Sequence, residues 1–393
     1  MMNKLYTLII KATYFYVAFI NIGCTSNSLD SEFLVSKRIN YSDSLYISLK
    51  DSVTFSIPNN IPSELFFFTL QGSQLYGLSF INPYSIYTLD LNDGEVDEFF
   101  KLEPEHQHFK IKQYFINDTI VAVISEFGEI MEFNLQTDSY EYFRVKDETG
   151  YPSTHGFVTP FLRVPPNLYL IENSYYFNVY PLGYFDNYSE SEKLESPLLA
   201  SINRESQNLS FKLVPTGIMD KIQSTYYPYD LSFPYLTYLK NSFFISYPMS
   251  HQIFKYDTSF QILDQFQISP SRRVKLPKPM EFKKILDERY LQEYRMKTPY
   301  YSKINYHSDI NVMSRVFYSQ NSINIVNGKY EIKYGDINII FFNDKGIILK
   351  EFKLDRNKDL LAVESNSNEL IILKRKKENE LQAIKYNIEF INN

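Results

Sequence analysis

The sequence predicts an all-β protein, a six-bladed β-propeller with a short helical insertion, seven blades being the other count its length admits. Three observations lead there. A compound unit of short alternating runs recurs along the chain. The runs are rich in Tyr, Phe, Ile and Val and are separated by turn clusters. One charged stretch with helical spacing interrupts them once. Of the 393 residues, 44% are apolar and 22% charged, so burial on folding can offset chain entropy and bulk disorder is excluded.

The chain opens with Lys4 in a short basic segment. An apolar stretch from Leu5 to Gly23, interrupted by Lys11, follows, and then Cys24 and a polar tail. This is the anatomy of an export signal. Gly23 directly before the only cysteine resembles the lipobox of bacterial lipoproteins, which implies cleavage before Cys24 and its acylation. An uncleaved anchor, for which about 20 apolar residues suffice, and a soluble-export signal are the other readings of the segment. All three place the body outside the cytoplasm. Residues 1–23 are therefore read as a lipoprotein-type signal peptide, 24–42 as a Ser-, Asn- and Asp-rich tether, and 43–393 as the propeller.

In the first clear copy of the unit, Tyr76 to Phe80 and Ser85 to Leu91 are followed by the turn Asn92-Asp93-Gly94 and by Glu95 to Leu102. The Asp-Gly pair suits a tight hairpin. Ile245-Ser246-Tyr247 and Ile253 to Asp257 align on Leu78-Ser79-Phe80 and Ile86 to Asp90 without a gap, with paired anchors eight residues apart. The same offset relates Ala122 to Ile130 and Ala362 to Leu370. A fifth copy ends at Ile337 to Leu354, turning at Asn343 to Gly346, and a sixth lies between Ser174 and Leu213. Asp43 to Ile57 is expected to pair with Ala383 to Ile391 and close the ring. A pair of β-sandwiches is the competing architecture, but sandwiches need not repeat one internal offset.

The interruption is the segment 272–297, with nine basic residues against four acidic, a net +5 inside a chain of net −6. Within it, Pro279 to Met296 spaces Phe282, Leu286, Tyr290 and Tyr294 four apart, predicting an amphipathic helix with Pro near its first turn. The rest of the chain is acidic, which argues against a nucleic-acid partner.

Cys24 after a signal-like segment, strand patterns such as Ser246 to Asp257, and a charged helical interruption before the fifth blade together resemble Bacteroidota lipoproteins of the six-bladed β-propeller type. These proteins have no assigned function and are distantly similar to NHL-type propellers. The resemblance covers about residues 43–392 and implies a fold and a cell-envelope location. It carries no catalytic residue.

Motifs for chemistry are scarce. The absence of Trp disfavours Trp-based propeller repeats, and no Gly-x-Ser-x-Gly elbow or His-Glu-x-x-His is present. Asp90 to Gly94 looks like the start of a calcium loop, yet the twelfth position is Lys101, which repels a cation. His106 and His108 near Glu103 and Glu105 are metal-ligand types but fit a polar loop between blades. No catalytic residue, metal or cofactor is assigned.

The sequence therefore predicts a lipid-anchored envelope propeller that binds a ligand or partner, an envelope protein, a peptide or a glycan, rather than turning over a substrate. The predicted surface combines Arg272, Arg273, Lys283 and Arg289 of the insertion with His155, His251 and Tyr301 in loops at one end of the ring. Tyr226 to Tyr229 and Pro299 to Tyr301 are expected to offer stacking surfaces. Two other classes stay open. One is an envelope hydrolase or lyase acting on a glycan or peptide with carboxylates and histidines of the central channel. The other is a structural subunit of an envelope complex.

Overall fold

The computed structural model describes residues 45–58, 65–79, 85–102, 111–125, 129–144, 155–157, 168–181, 199–212, 225–226, 231, 233–272, 274–276, 280–281, 284, 287–326, 329–355 and 359–390. Cys24, the tether, the pair His106 and His108, Tyr227 to Tyr229, Arg273 and Lys283 lie outside these residues.

Six antiparallel sheets follow one another along the chain. Blade 1 comprises Phe66–Gln71, Gln74–Ser79, Ser85–Asp90 and Val96–Lys101. Blade 2 comprises Ile111–Ile116, Ile120–Ser125, Glu129–Asn134 and Ser139–Arg144. Blade 3 is built from Tyr169–Ile171, Ser174–Pro181, Leu199–Asn203 and Leu209–Lys212, with His155–Phe157 paired to the far end of its second strand. Blade 4 holds Tyr235–Leu239, Ser242–Ser246, Gln252–Tyr256 and Ile262–Gln267; blade 5 holds Tyr300–His307, Val312–Tyr318, Ile337–Phe342 and Ile348–Leu354.

Blade 6 contains Leu360–Asn366, Glu369–Lys377 and Glu380–Phe390, and its fourth strand is Leu45–Ser56 from the other end of the chain. This is the predicted closure, in register from Leu45 opposite Phe390 to Ser56 opposite Glu380. It ties the two ends of the fold by main-chain hydrogen bonds and leaves blade 6 no gap. Lys385 reinforces it, pairing with Asp51 at 2.8 Å and donating to the Leu91 carbonyl at 3.0 Å on blade 1.

Strand alternation makes the ring. In Ile120–Ser125, Val121 and Val123 face blade 1 while Ala122 and Ile124 face blade 3. Each side chain enters the apolar layer between two blades, so both faces of a blade are buried. Six such layers exist, the last packing Phe55 and Leu373 of blade 6 on Leu75 and Leu89 of blade 1. Buried Tyr and Phe residues such as Tyr175, Phe177, Phe243 and Phe317 help fill these layers, where their flat rings cover large area.

A side-chain device marks the repeat. The residue ending the third strand is Asp90, Asn134, Asn203, Asp257 or Asn343 in blades 1 to 5, and its side-chain oxygen accepts the main-chain N–H two residues on at 2.7–3.1 Å. Blade 6 has none of these, because its third strand does not turn into its fourth. In blade 1, Gly94 takes φ +82° and a β-carbon there would lie 2.7 Å from the Thr54 carbonyl, so the turn rests against the closing strand.

The ring has the six predicted blades. Two expectations need correction. The offset linking Ala362 to Leu370 joins the first and second strands of blade 6, whereas in blades 1, 2 and 4 it joins the second and third. A tight hairpin imposes similar spacing on whichever strands it links. The insertion helix runs Glu288–Lys297, not from Pro279. Asp287 caps it by accepting from the Tyr290 N–H at 3.1 Å, and Met280–Glu281 is drawn instead into a short ladder with Thr225–Tyr226.

Candidate functional site at the crossover end of the ring

The up-and-down course of each blade separates two kinds of connection. Turns from first to second and from third to fourth strand lie at one end of the ring, and none is longer than residues 91–95. Connections from second to third strand, and crossings from blade to blade, lie at the other. The strand ends that bound the long intervals 145–154, 182–198, 213–224, 268–299 and 319–336 are at this crossover end. Short turns only close a sheet, while long loops on a rigid scaffold are where binding groups gather. The end that contains the described residues of the predicted site is therefore also the elaborated one.

Two insertions of blade 5 meet there. The helix Glu288–Lys297 precedes its first strand, and the hairpin Ser322–Val326 with Lys329–Lys333 joins its second and third. Asn321, at the root of the hairpin, donates from Nδ2 to the Met296 carbonyl at 2.7 Å and accepts from the Gly335 N–H at 3.0 Å. One buried amide thus fastens the end of the helix to the base of the hairpin. Tyr294 packs the helix onto Leu231, Tyr235, Met249 and Tyr300 of blades 4 and 5.

Beside the helix is a half-open cavity of about 350 Å³. Its helix side is Tyr290, Glu293, Tyr294 and Lys297, and the facing side includes Lys275 and Gln320. Lys297 pairs with Glu293 one turn earlier. Lys275 is exposed and has no ion pair among the described residues. Tyr290 is 39% exposed, with the Lys284 ammonium 5.5 Å from its ring centroid.

A polar anchor lies between blades 4 and 5 at the same end. His251, in the turn after the second strand of blade 4, meets the Tyr301 hydroxyl at 2.5 Å through Nδ1. Tyr301 is fully buried and lies under Arg315, whose guanidinium carbon is 3.9 Å from the ring centroid. Arg315, also fully buried, donates to the carbonyls of Tyr247 at 2.5 Å, Ser250 at 3.0 Å and Ser302 at 3.4 Å. Burial lowers its pKa to about 10, which leaves it charged. Burial, with the Arg315 charge second, lowers the His251 pKa to about 4, against a hydrogen bond to the Val274 backbone. Neutral His251 therefore accepts the Tyr301 proton at Nδ1 and donates to Val274, clipping the basic segment to the blades.

Of the predicted site residues, the structure brings His251 and Tyr301 into direct contact. Arg272 is exposed just beyond blade 4, Arg289 is exposed on the helix, and His155 begins the strand His155–Phe157 opposite Pro181. The loop placement of Tyr300 and Tyr301 is corrected. They open the first strand of blade 5, and at 7% and 0% exposure they offer no stacking surface, because Phe317, Tyr318 and Arg315 cover their rings. Arg315 escaped the sequence reading. Its signal was its place between apolar Met313 and Phe317 on one strand face, a position that must be buried.

Among the described residues, the innermost strands carry one carboxylate–ammonium link. Lys303 of blade 5 reaches Glu364 of blade 6 at 2.9 Å, and burial raises the Glu364 pKa against the pull of Lys303. Among the described residues no group of three His, Cys, Asp or Glu is placed to share a metal ion.

No protein-family model matches the chain, and no functionally curated protein matches it. Solved structures do. A member of the DUF4221 family from Bacteroides vulgatus superposes with a TM-score of 0.65 at 12% identity, over 89% of this chain and 99% of that one. A Bacteroides fragilis protein provisionally named as exported gives 0.49 at 10% identity, over 91% and 97% of the two chains. A protein of unknown function from Bacteroides thetaiotaomicron gives 0.42 at 8%, over 88% and 76%. The first likeness establishes the fold, and it is to a Bacteroides protein of a family without an assigned function, as the sequence resemblance implies.

Proposed function

We propose that this protein is an exported, lipid-anchored six-bladed propeller that binds a ligand or a partner protein with the crossover end of its ring. One observation carries the reading: the chain enters the ring at the opposite end. Leu45 pairs with Phe390, the last residue of the third strand of blade 6, so the segment from Cys24 joins the body at the end of short turns. The elaborated end, with its cavity and basic insertion, is thus the end of the ring opposite the point where the tether attaches. The tether, about 20 residues long, would allow on the order of 25 Å of reach as a flexible coil.

The binding reading is favoured over envelope hydrolysis by the contrast between the two regions. The innermost strands offer Glu364 neutralised by Lys303, whereas the insertion encloses a cavity with aromatic and cationic groups, the composition of a recognition site. Mass analysis of the protein from its native membrane tests the anchor, with a diacylated N-terminal cysteine expected and an unmodified soluble chain excluding it. Charge reversal at Arg272 and Arg289 tests the surface. Unchanged pull-down partners and unchanged glycan-array binding would move the site elsewhere.

A further inference from the structure

We infer that the cavity under the insertion helix takes an acidic saccharide, a sugar ring bearing a carboxylate. The inference rests on the binding reading above and names its ligand class. Three features of the cavity carry it.

The first is charge. Glu293 and Lys297 neutralise each other across one helical turn, which leaves Lys275 as the unpaired charge of the lining among the described residues. The insertion around it is basic by five charges. A ligand with one negative group is matched, and a cationic one is repelled.

The second is the aromatic wall. Tyr290 and Tyr294 are successive-turn neighbours on one helix face, and Tyr290 keeps 39% of its surface open. A partly open tyrosine ring offers a flat apolar face with a polar edge, which suits the mixed faces of a sugar. The Gln320 amide and the Glu293 carboxylate supply a donor and acceptors for ring hydroxyls.

The third feature separates a sugar from a peptide. Strand-like peptide capture needs unpaired main-chain groups at the site. Here the Thr298 N–H is already bonded to the Tyr294 carbonyl at 2.9 Å, and Pro299 beside it has no N–H. Recognition at this part of the wall falls to side chains.

The test is calorimetric titration of the full chain in detergent with oligogalacturonate, alginate and hyaluronan oligosaccharides, and with methyl-esterified oligogalacturonate as the uncharged match. At least one acid is expected to bind, with the esterified form at least tenfold weaker. Lys275→Met should remove that difference, and Tyr290→Ala should weaken acid and ester together, both variants keeping the parent circular dichroism spectrum. Equal binding of acid and ester, still lost in Tyr290→Ala, would overturn the acidic class while leaving the cavity as the binding site. Saccharide binding indifferent to both substitutions would overturn the cavity assignment as well. Absence of binding to all the acids, or Lys275-dependent binding of an oligoglutamate peptide alone, would overturn the saccharide.

Discussion

The two faces of blade 5 solve the burial of polar groups in opposite ways. Toward blade 4, Arg315 is fully buried, yet three carbonyls and the Tyr301 ring meet it. Toward blade 6, His307 is as deeply buried but uses only Nε2, bonded to the Ser314 hydroxyl at 2.9 Å. On that side His307 Nδ1, Asn305 Nδ2 and Ser365 Oγ find no partner among the described residues. On the blade 4 side Ser246 Oγ also lacks a partner among the described residues, but the Arg315 cluster that underlies the insertion and its cavity is fully paired. The unsaturated side faces an ordinary blade junction, where buried polar atoms of this kind are commonly met by ordered water. The difference teaches that the largest buried polar group beneath the candidate site, Arg315, is held by more hydrogen bonds than His307 at the blade 6 junction.

The contrast can be broken most forcefully at Arg315. Arg315→Met should cost about 3–5 kcal/mol, because it strands three buried carbonyls as well as removing the ring contact, and urea denaturation measures it. A cost below about 1 kcal/mol would mean that the guanidinium does not hold the junction.

Acid should come next. Burial lowers the His307 pKa to about 4, below the ordinary value of 6.5. The unfolded chain then binds the extra proton first, so this stability is complete above about pH 6.5 and is lost as pH falls toward 4. On linkage it amounts to on the order of 3 kcal/mol. His251 acts in the same direction, while Glu364, raised by burial, opposes them. Denaturation followed from pH 7 to pH 4.5 should show the fall, and His307→Gln should flatten it. An unaltered slope in that variant would remove His307 from the account.

Smaller effects sharpen the comparison. Tyr301→Phe leaves His251 without its donor and should cost about 1–2 kcal/mol, while freeing the segment at Val274, which faster amide exchange at 274–276 would report. Ser365→Ala deletes an oxygen that has no protein partner and should change stability by less than about 0.5 kcal/mol in either direction. A large loss there would show that the hydroxyl is engaged after all.

Much of the ring was legible in the sequence because propeller blades repeat their chemistry. Asp90 and Asp257 stand at equivalent ends of a third strand, and the closing pair was visible as two unmatched alternating runs. The first strands were the least visible. Phe66–Gln71 and Tyr169–Ile171 each join the second strand by a two-residue turn, so in sequence they merge with it. The insertion was recognised by charge and spacing, but its helix was drawn too long. Four-residue spacing continues through Phe282 and Leu286, and only tertiary pairing at Met280–Glu281 with the cap at Asp287 sets the start.

The site was legible in position rather than in partnership. His251 was singled out as a loop residue and proves to be one, but its bond to Tyr301 spans 50 positions. No local pattern encodes such a contact. Pairing across blades depends on the order and closure of the ring, as does the placement at one end of the strand ends that the insertions of blade 5 join. That asymmetry is plain once second-to-third and blade-to-blade links are separated from hairpins.

The most direct test of the account is hydrogen–deuterium exchange of the full chain with and without saturating envelope polysaccharide and peptide extract. The account predicts added protection confined to the crossover end, in Glu288–Lys297 and around Lys275 and Gln320. Protection centred instead on Tyr300–His307 and Leu360–Asn366, the innermost strands bearing Lys303 and Glu364, would contradict it and favour chemistry in the channel.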